Sequence, residues 1–356
     1  MTIWLDVLTP KQAKLFGHIY LNLRESGYKV ILTARNYEYT FSVLRSIGVE
    51  YKAVGQYVEG LKEKVVEEAK RMLSLLEVLE NFDVLIAFPN PVASRIAFGL
   101  GKPYIAFTDS PHSKAPSRLS LPLSTAVIFS SCIPKEEIEK YTYREETIIR
   151  QFHGVDEVEW LKEFNPDPHY ISKWGLEPYE YIVIRPPETK ASYYTMQGHT
   201  IVELLEKIIT ESMAKGYKVF YIPRYRDDPL MHKHEENPNV VIPSDTEDVD
   251  ASKISYYAKL VITGGGTMAR EAALLGTPGL CLFPNRLYVN ECVSEWGFPL
   301  FHVSETQKAY ETFRHLIDAS VNQLEHYKTL AKEKIRLLET PSQALKNILK
   351  EIEKRV

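Results

Sequence analysis

Short apolar runs alternate with amphipathic segments along nearly the whole chain. Such alternation predicts strand–helix–strand units and a parallel sheet, because each buried strand needs a crossover helix before the next can pair beside it. In the first half, strands are predicted near Ile3–Val7, Lys29–Thr33, Glu50–Val54, Val84–Phe88, Tyr104–Phe107 and Ala126–Phe129. Helices are predicted between them over Gln12–Ser26, Tyr37–Ile47, Leu61–Glu80 and Val92–Gly99. Gly27, Gly48 and Gly101 stand where a left-handed residue ends a helix. After Phe129 the pattern loosens, and His153-Gly154-Val155 and Asn165-Pro166-Asp167-Pro168 read as a crossing segment followed by a linker. A second series follows, with strands near Tyr181–Arg185, Lys218–Ile222, Val240–Ile242, Leu260–Thr263 and Gly279–Phe283. Its helices are predicted over Thr200–Lys215, Ala251–Tyr257, Met268–Leu275 and Asn290–Trp296. One long helical stretch over Glu305–Leu338 breaks at Thr340-Pro341, and a last amphipathic helix covers Ser342–Lys354. The two series predict two α/β domains, residues 1–160 and 161–340, with a terminal helix over 341–356.

A length of 356 residues suits two domains, and 44% hydrophobic residues suffice for ordinary cores. The formal charge of −4 argues against a protein built to grip nucleic acid, which needs a basic surface. Aromatic residues are distributed rather than arranged as a stacking series for single strands. Cys132, Cys281 and Cys292 form no CxxC pair, so no zinc site is predicted. The start, Ile3-Trp4-Leu5-Asp6-Val7, has no basic region or small-residue cleavage site, and no apolar stretch approaches the ~20 residues of a membrane span. A soluble, cytoplasmic protein is expected, with peripheral membrane contact and a homodimer left open. Abundant Lys and Glu point toward heat tolerance.

The strongest chemical signal is Thr263-Gly264-Gly265-Gly266-Thr267, between the apolar strand Leu260–Thr263 and a helix. Glycines let backbone approach a ligand closely, and the helix start offers unpaired N–H groups with partial positive charge, a combination suited to a diphosphate. Glu271, one turn into that helix, is placed to accept hydrogen bonds from a ribose. Asp109-Ser110-Pro111-His112 follows another apolar strand, where ligands of open α/β sheets bind, so Asp109 or His112 is a candidate general base. Arg185, Glu188 and Lys190 follow one strand of the second series, and Arg224 and Arg226 the next. Arg185 and Arg224 are candidate diphosphate clamps, since guanidinium binds phosphate bidentately. Asp248-Val249-Asp250 reads as an acidic capping run rather than a metal motif, and His232-Lys233-His234 as solvated charge.

The run Gly264-Gly265-Gly266-x(4)-Glu271-Ala272-x(3)-Gly276-Thr277-Pro278 resembles the nucleotide-sugar loop of GT-B proteins, notably MurG-type N-acetylglucosaminyltransferases and UDP-N-acetylglucosamine 2-epimerases. The resemblance implies a GT-B fold, with two Rossmann-like parallel-sheet domains facing a central cleft and the last helix returning to the first domain. It also implies diphosphate at Gly265, Gly266 and Thr267, ribose at Glu271, and donor sugar near Asn290, which follows Pro284-Asn285-Arg286. Nearly the whole chain is similar to an archaeal and bacterial family of GT-B-like proteins of unknown function. Ile3-Trp4-Leu5-Asp6, Ala106-Phe107-Thr108-Asp109-Ser110-Pro111-His112, Val183-Ile184-Arg185-Pro186 and Ile222-Pro223-Arg224-Tyr225 carry that similarity. That family has histidines in its first loop, whereas this chain reads Thr9-Pro10-Lys11-Gln12-Ala13-Lys14. The implied activity is metal-independent glycosyl transfer, with a nucleotide sugar, expected to be a UDP-sugar, as donor and no further cofactor. A 2-epimerase or nucleotide-sugar hydrolase, and a GT-B-shaped binding protein without catalysis, are the alternatives.

Overall fold

A computed structural model describes residues 1–188, 198–244 and 249–354, so Lys190 and Asp248 lie outside the described residues. The chain divides into two compact units, Met1–Trp160 joined by Leu338–Val356, and Leu161–Leu337.

In the first unit the strands are β1 (Thr2–Val7), β2 (Lys29–Asn36), β3 (Lys52–Gln56), β4 (Val84–Ala87), β5 (Tyr104–Phe107), β6 (Ala126–Ser130) and β7 (Ile148–Phe152). They form one parallel sheet in the order β3-β2-β1-β4-β5-β6-β7. Its helices are α1 (Pro10–Glu25), α2 (Thr40–Ile47), α3 (Leu61–Val78), α4 (Pro91–Gly99), α5 (Lys114–Ser120), α6 (Lys135–Glu139) and α7 (Val158–Leu161). In the second unit α8 (Pro168–Ser172) precedes β8 (Tyr181–Arg185), α9 (Gly198–Ala214), β9 (Lys218–Tyr221), α10 (Pro229–His234) and β10 (Val240–Val241). There follow α11 (Ala251–Tyr256), β11 (Leu260–Thr263), α12 (Gly266–Leu274), β12 (Gly279–Cys281), α13 (Tyr288–Glu295), β13 (Leu300–His302), α14 (Thr306–Ile317) and α15 (Val321–Leu337). This sheet is also parallel, in the order β10-β9-β8-β11-β12-β13. Both units therefore repeat one doubly wound order, and the chain has the α/β architecture of the GT-B fold. In each sheet the winding reverses beside the first strand, between β1 and β4 and between β8 and β11, where doubly wound folds bind ligands.

The central strands of both sheets are largely apolar because helices cover both sheet faces. Along β8, Ile182 and Ile184 enter one core while Tyr181 and Val183 enter the other. Gly27, Gly48 and Gly101 have φ of +86°, +79° and +66°, the left-handed helix ends expected of them.

The short helices α5, α6, α7, α8 and α10 were not predicted, and three further elements differ from the sequence expectation. β7 was not predicted: it is an edge strand, half-buried along most of its length, with Arg150 and Gln151 breaking the apolar run. β13 was not predicted either: it is an edge strand of three residues, of which only Leu300 is buried. The long helix expected over Glu305–Leu338 is two helices, parted at Asp318-Ala319-Ser320.

The last helix, α16 (Pro341–Glu353), opens with a reciprocal cap. Thr340 Oγ1 accepts from Gln343 N at 3.2 Å, and Gln343 Oε1 accepts from Thr340 N at 2.8 Å. Its Leu345, Ile348, Leu349 and Ile352 are buried, and it packs on α1, β6 and β7 of the first unit. The carboxylate of Glu159, half-buried in the same place, accepts from Ser342 N at 2.8 Å.

Asp6, fully buried at the end of β1, is the polar hub of the first unit. Its carboxylate accepts from Arg71 Nη1 and Nη2 at 2.9 and 2.7 Å, from Asn90 Nδ2 at 2.5 Å, and from Thr33 Oγ1. Asn90 also caps α4, accepting from Ala93 N at 3.1 Å. A buried carboxylate is tolerated only when so fully bonded, and here it fixes the loops around the switch point.

Candidate functional site

In the second unit the glycine loop stands at the switch point. Thr263 pairs with Arg185 across β11 and β8, and Gly264 N donates to Arg185 O at 3.0 Å. The three glycines have different reasons to be glycine. At Gly264 a Cβ would lie 2.1 Å from Pro187 Cα, so close packing of two backbone segments excludes a side chain. At Gly266 a Cβ would lie 2.5 Å from Arg270 Nη1 and 3.1 Å from Asn290 Oδ1. At Gly265 a Cβ would meet nothing within 4 Å, and its φ of −126° with ψ of 164° is open to any residue. Neither strain nor protein packing asks for glycine at 265.

Gly265 is the N-cap of α12, and having no side chain it leaves the first-turn N–H groups uncapped. Its own N–H donates to Thr263 Oγ1 at 3.0 Å, and its carbonyl accepts from Cys281 Sγ at 3.5 Å, which pins the loop from below. Gly265, Gly266 and Thr267 are half-exposed. Beneath them Arg270 is buried and donates from Nη1 to Asn290 Oδ1 at 2.7 Å. Asn290 is 1% exposed, yet its Nδ2 has no hydrogen-bond partner. A buried unsatisfied donor costs about 1–3 kcal/mol, so the loop rests on an amide with unspent bonding capacity. Cys281, whose thiol burial pushes up to about 11, is an inert part of this floor.

Glu271 is 3% exposed and accepts from Ser252 Oγ at 3.2 Å, so it ties α12 to α11. Arg185 and Arg224 are half-buried beyond the ends of β8 and β9. Arg286 is exposed, held bidentately by Glu291 at 2.7 to 3.0 Å. His234 is not solvated as expected: it is 6% exposed, with its Nε2 2.8 Å from Glu206 Oε2. Asp250 caps α11, accepting from Ser252 N at 2.9 Å.

In the first unit the ends of β1, β5 and β7 bring together Lys11, Asp109 and Asp156. Thr9 caps α1 and Pro10 starts it, which sets Lys11 in the first turn. Lys11 Nζ donates to Asp109 Oδ2 and to Asp156 Oδ2, the latter at 2.7 Å. Ser110 Oγ donates to Asp109 Oδ1 at 2.8 Å. Lys11 and Asp109 keep side-chain exposures of 19% and 17%, whereas Asp156 has 5%. Burial pushes the Asp156 carboxyl up to about 6 against the pull of the Lys11 ammonium, and the Asp109 charge adds to the rise. One carboxylate open to solvent and one with raised proton affinity thus share a single cation. His112 is exposed in the turn that follows, outside this cluster. Lys11 and Asp156 were not singled out in the sequence. Asp156 would have stood beyond a strand end had β7 been visible. Arg270 was likewise missed, because a buried arginine inside a helix carries no pattern of its own. Among the described residues, no group of three or more His, Cys, Asp or Glu is arranged to hold a metal ion. Among the described residues, no helix is long and apolar enough to cross a membrane.

A family profile described as "Protein of unknown function (DUF354)" matches residues 1–337. An uncharacterized protein of Methanocaldococcus jannaschii is 27% identical over 294 residues, covering 81% of this chain and 83% of that protein. Among solved structures, a Methanocaldococcus jannaschii UDP-GlcNAc 2-epimerase in complex with UDP-GlcNAc and UDP matches with a TM-score of 0.72 at 14% identity. That match covers 99% of this chain and 100% of the other. The glycotransferase of kitacinnamycin matches with a TM-score of 0.60 at 11% identity, covering 99% and 98%.

Proposed function

The chain belongs to this family of unknown function, and from its site geometry we propose that it is a nucleotide-sugar enzyme whose donor sits on the glycine loop of the second unit. One observation carries the proposal: Gly265 has no side chain where neither backbone nor packing forbids one, at the uncapped start of a helix. Beyond the modest N-cap preference of glycine over alanine, close approach of a ligand is the reason left for glycine there. The diphosphate would take the N–H groups of Gly266 and Thr267, and that of Gly265 only in exchange for its bond to Thr263 Oγ1, with Arg185 and Arg224 meeting its charge and no metal required. Glu271 would hold the ribose, exchanging Ser252 for a sugar hydroxyl. Asn290 would give its unused N–H group to the donor, with Arg270 fixing the amide. The fold likeness to proteins that bind UDP-GlcNAc favours a UDP-sugar.

Glycosyl transfer would use these groups in turn. Asp109 takes the proton of an acceptor hydroxyl as its oxygen bonds to the anomeric carbon. The bond from that carbon to the diphosphate breaks, and the leaving oxygen keeps the electron pair under the helix N-terminus and the two arginines. Lys11 orients Asp109, and Asp156 anchors Lys11. A second reading is favoured by the Asp109–Asp156 pair itself, since two carboxyl groups held on one lysine, with Asp156 raised by burial, can serve as acid and base on the sugar without any acceptor. Incubating the protein with UDP-GlcNAc alone, and following nucleotide and sugar by chromatography and NMR, separates the two. UDP release that needs an added acceptor supports transfer; an epimer or free sugar without acceptor supports the second reading. Failure of UDP and UDP-GlcNAc to bind in calorimetry removes both.

A further inference from the structure

The first unit contains a cavity of about 520 Å³ that none of this uses. Its walls include Lys114 and Arg118 from α5 and Lys140, Tyr141 and Tyr143 from the segment after α6. Three cations converge on it, and no carboxylate lines it. Lys140 pairs with Glu137 at 2.5 Å. Lys114 and Arg118 have no carboxylate partner among the described residues. These two stand one helical turn apart on one face, a like-charge spacing that disfavours the helix. The cavity is joined to the candidate base, because Tyr141 Oη donates to Pro111 O at 3.3 Å, within the turn that carries Asp109.

We propose that this cavity binds the phosphate group of a small phosphorylated acceptor. A phosphate monoester brings a charge of about −1.5 to −2 and three acceptor oxygens, which is what unpaired Lys and Arg heads complement. The volume lies within the usual range of about 300–1,000 Å³ for small-molecule sites and far exceeds one phosphate, so the tyrosine walls have room for the carbon skeleton. The role as acceptor site rests on the reading of Asp109 as base; binding of the phosphate does not.

The test is calorimetric titration with glucose 6-phosphate, using glucose and vesicles of anionic phospholipid as the other arms, for the wild type and Lys114→Ala/Arg118→Ala. Both residues are exposed, so the variant keeps its fold, which circular dichroism checks. The hexose phosphate is expected to bind, glucose is not, and the variant should lose at least about tenfold for the two charge-assisted contacts removed. UDP affinity should stay the same in the variant. If glucose binds as well as its phosphate, if the variant binds unchanged, or if only vesicles bind, the proposal is overturned. Loss of UDP binding in Gly265→Val with glucose 6-phosphate retained separates this site from the donor loop. UDP that fails to bind the wild type, with the hexose phosphate still bound, sinks the donor reading alone.

Discussion

Replacing Gly265 by alanine separates a glycine kept for the fold from one kept for a ligand. Its backbone lies in the extended region, so alanine enters without strain and loses less entropy on folding, worth about 0.4–1 kcal/mol. Against this, alanine is a poorer N-cap than glycine by a similar amount. The added Cβ meets nothing within 4 Å, so packing contributes no further cost. Net stability should therefore stay within about 1 kcal/mol of wild type, or a few degrees in Tm for a unit of this size. Gly264→Ala is the contrast. Its Cβ would be forced to 2.1 Å from backbone of Pro187, and overpacking of this kind costs about 1–3 kcal/mol. For binding the order reverses. Gly265→Ala puts a methyl group where the diphosphate is proposed to lie, and UDP affinity should fall at least about tenfold, or ~1.4 kcal/mol, with Gly265→Val falling further. Thermal denaturation and calorimetric titration of the same preparations give both numbers. If Gly265→Val binds UDP like wild type, the space over the loop is not the ligand's. If Gly265→Ala loses stability as Gly264→Ala does, the assignment of the two glycines is wrong.

Three further outcomes are expected. Asp109→Asn should lower kcat about 10²–10⁴-fold with UDP affinity little changed, whereas Lys11→Met should also shift the pH profile of the remaining activity; steady-state kinetics across pH reads both. Arg71→Ala should cost about 3–5 kcal/mol in urea denaturation, because it strips both guanidinium bonds from the buried Asp6 carboxylate. Lys328, on α15, donates to Tyr179 Oη at 2.7 Å and lies 3.9 Å from the centre of the Tyr256 ring. Burial pushes its ammonium down to about 8, so the unfolded chain binds the extra proton above that pH. Stability should accordingly rise from pH ~8 toward pH ~10, by on the order of 3 kcal/mol at most, and Lys328→Met should flatten that rise in denaturation curves taken across the range.

The sequence by itself determined the class of fold, because buried parallel strands must be apolar on both faces and their crossover helices amphipathic. β5, β8 and β11 were legible to the residue for that reason. It also determined the glycine loop, since an apolar strand running into three glycines and a helix is a local pattern with a local cause. Tertiary structure decided what each glycine is for: Pro187 and Asn290 are brought against the loop from beyond β8 and from α13, Arg270 reaches back from α12 itself, and only these positions show that 265 stands open while 264 and 266 do not. It decided the partner of Asp109 as well. The sequence pointed to His112, three residues away, but the backbone turns that ring outward, and the sheet order brings in Lys11 from the start of α1 and Asp156 from beyond β7. β7 itself was hidden for the same reason. An edge strand needs fewer apolar residues of its own, and part of its cover comes from α16, nearly two hundred residues further along the chain.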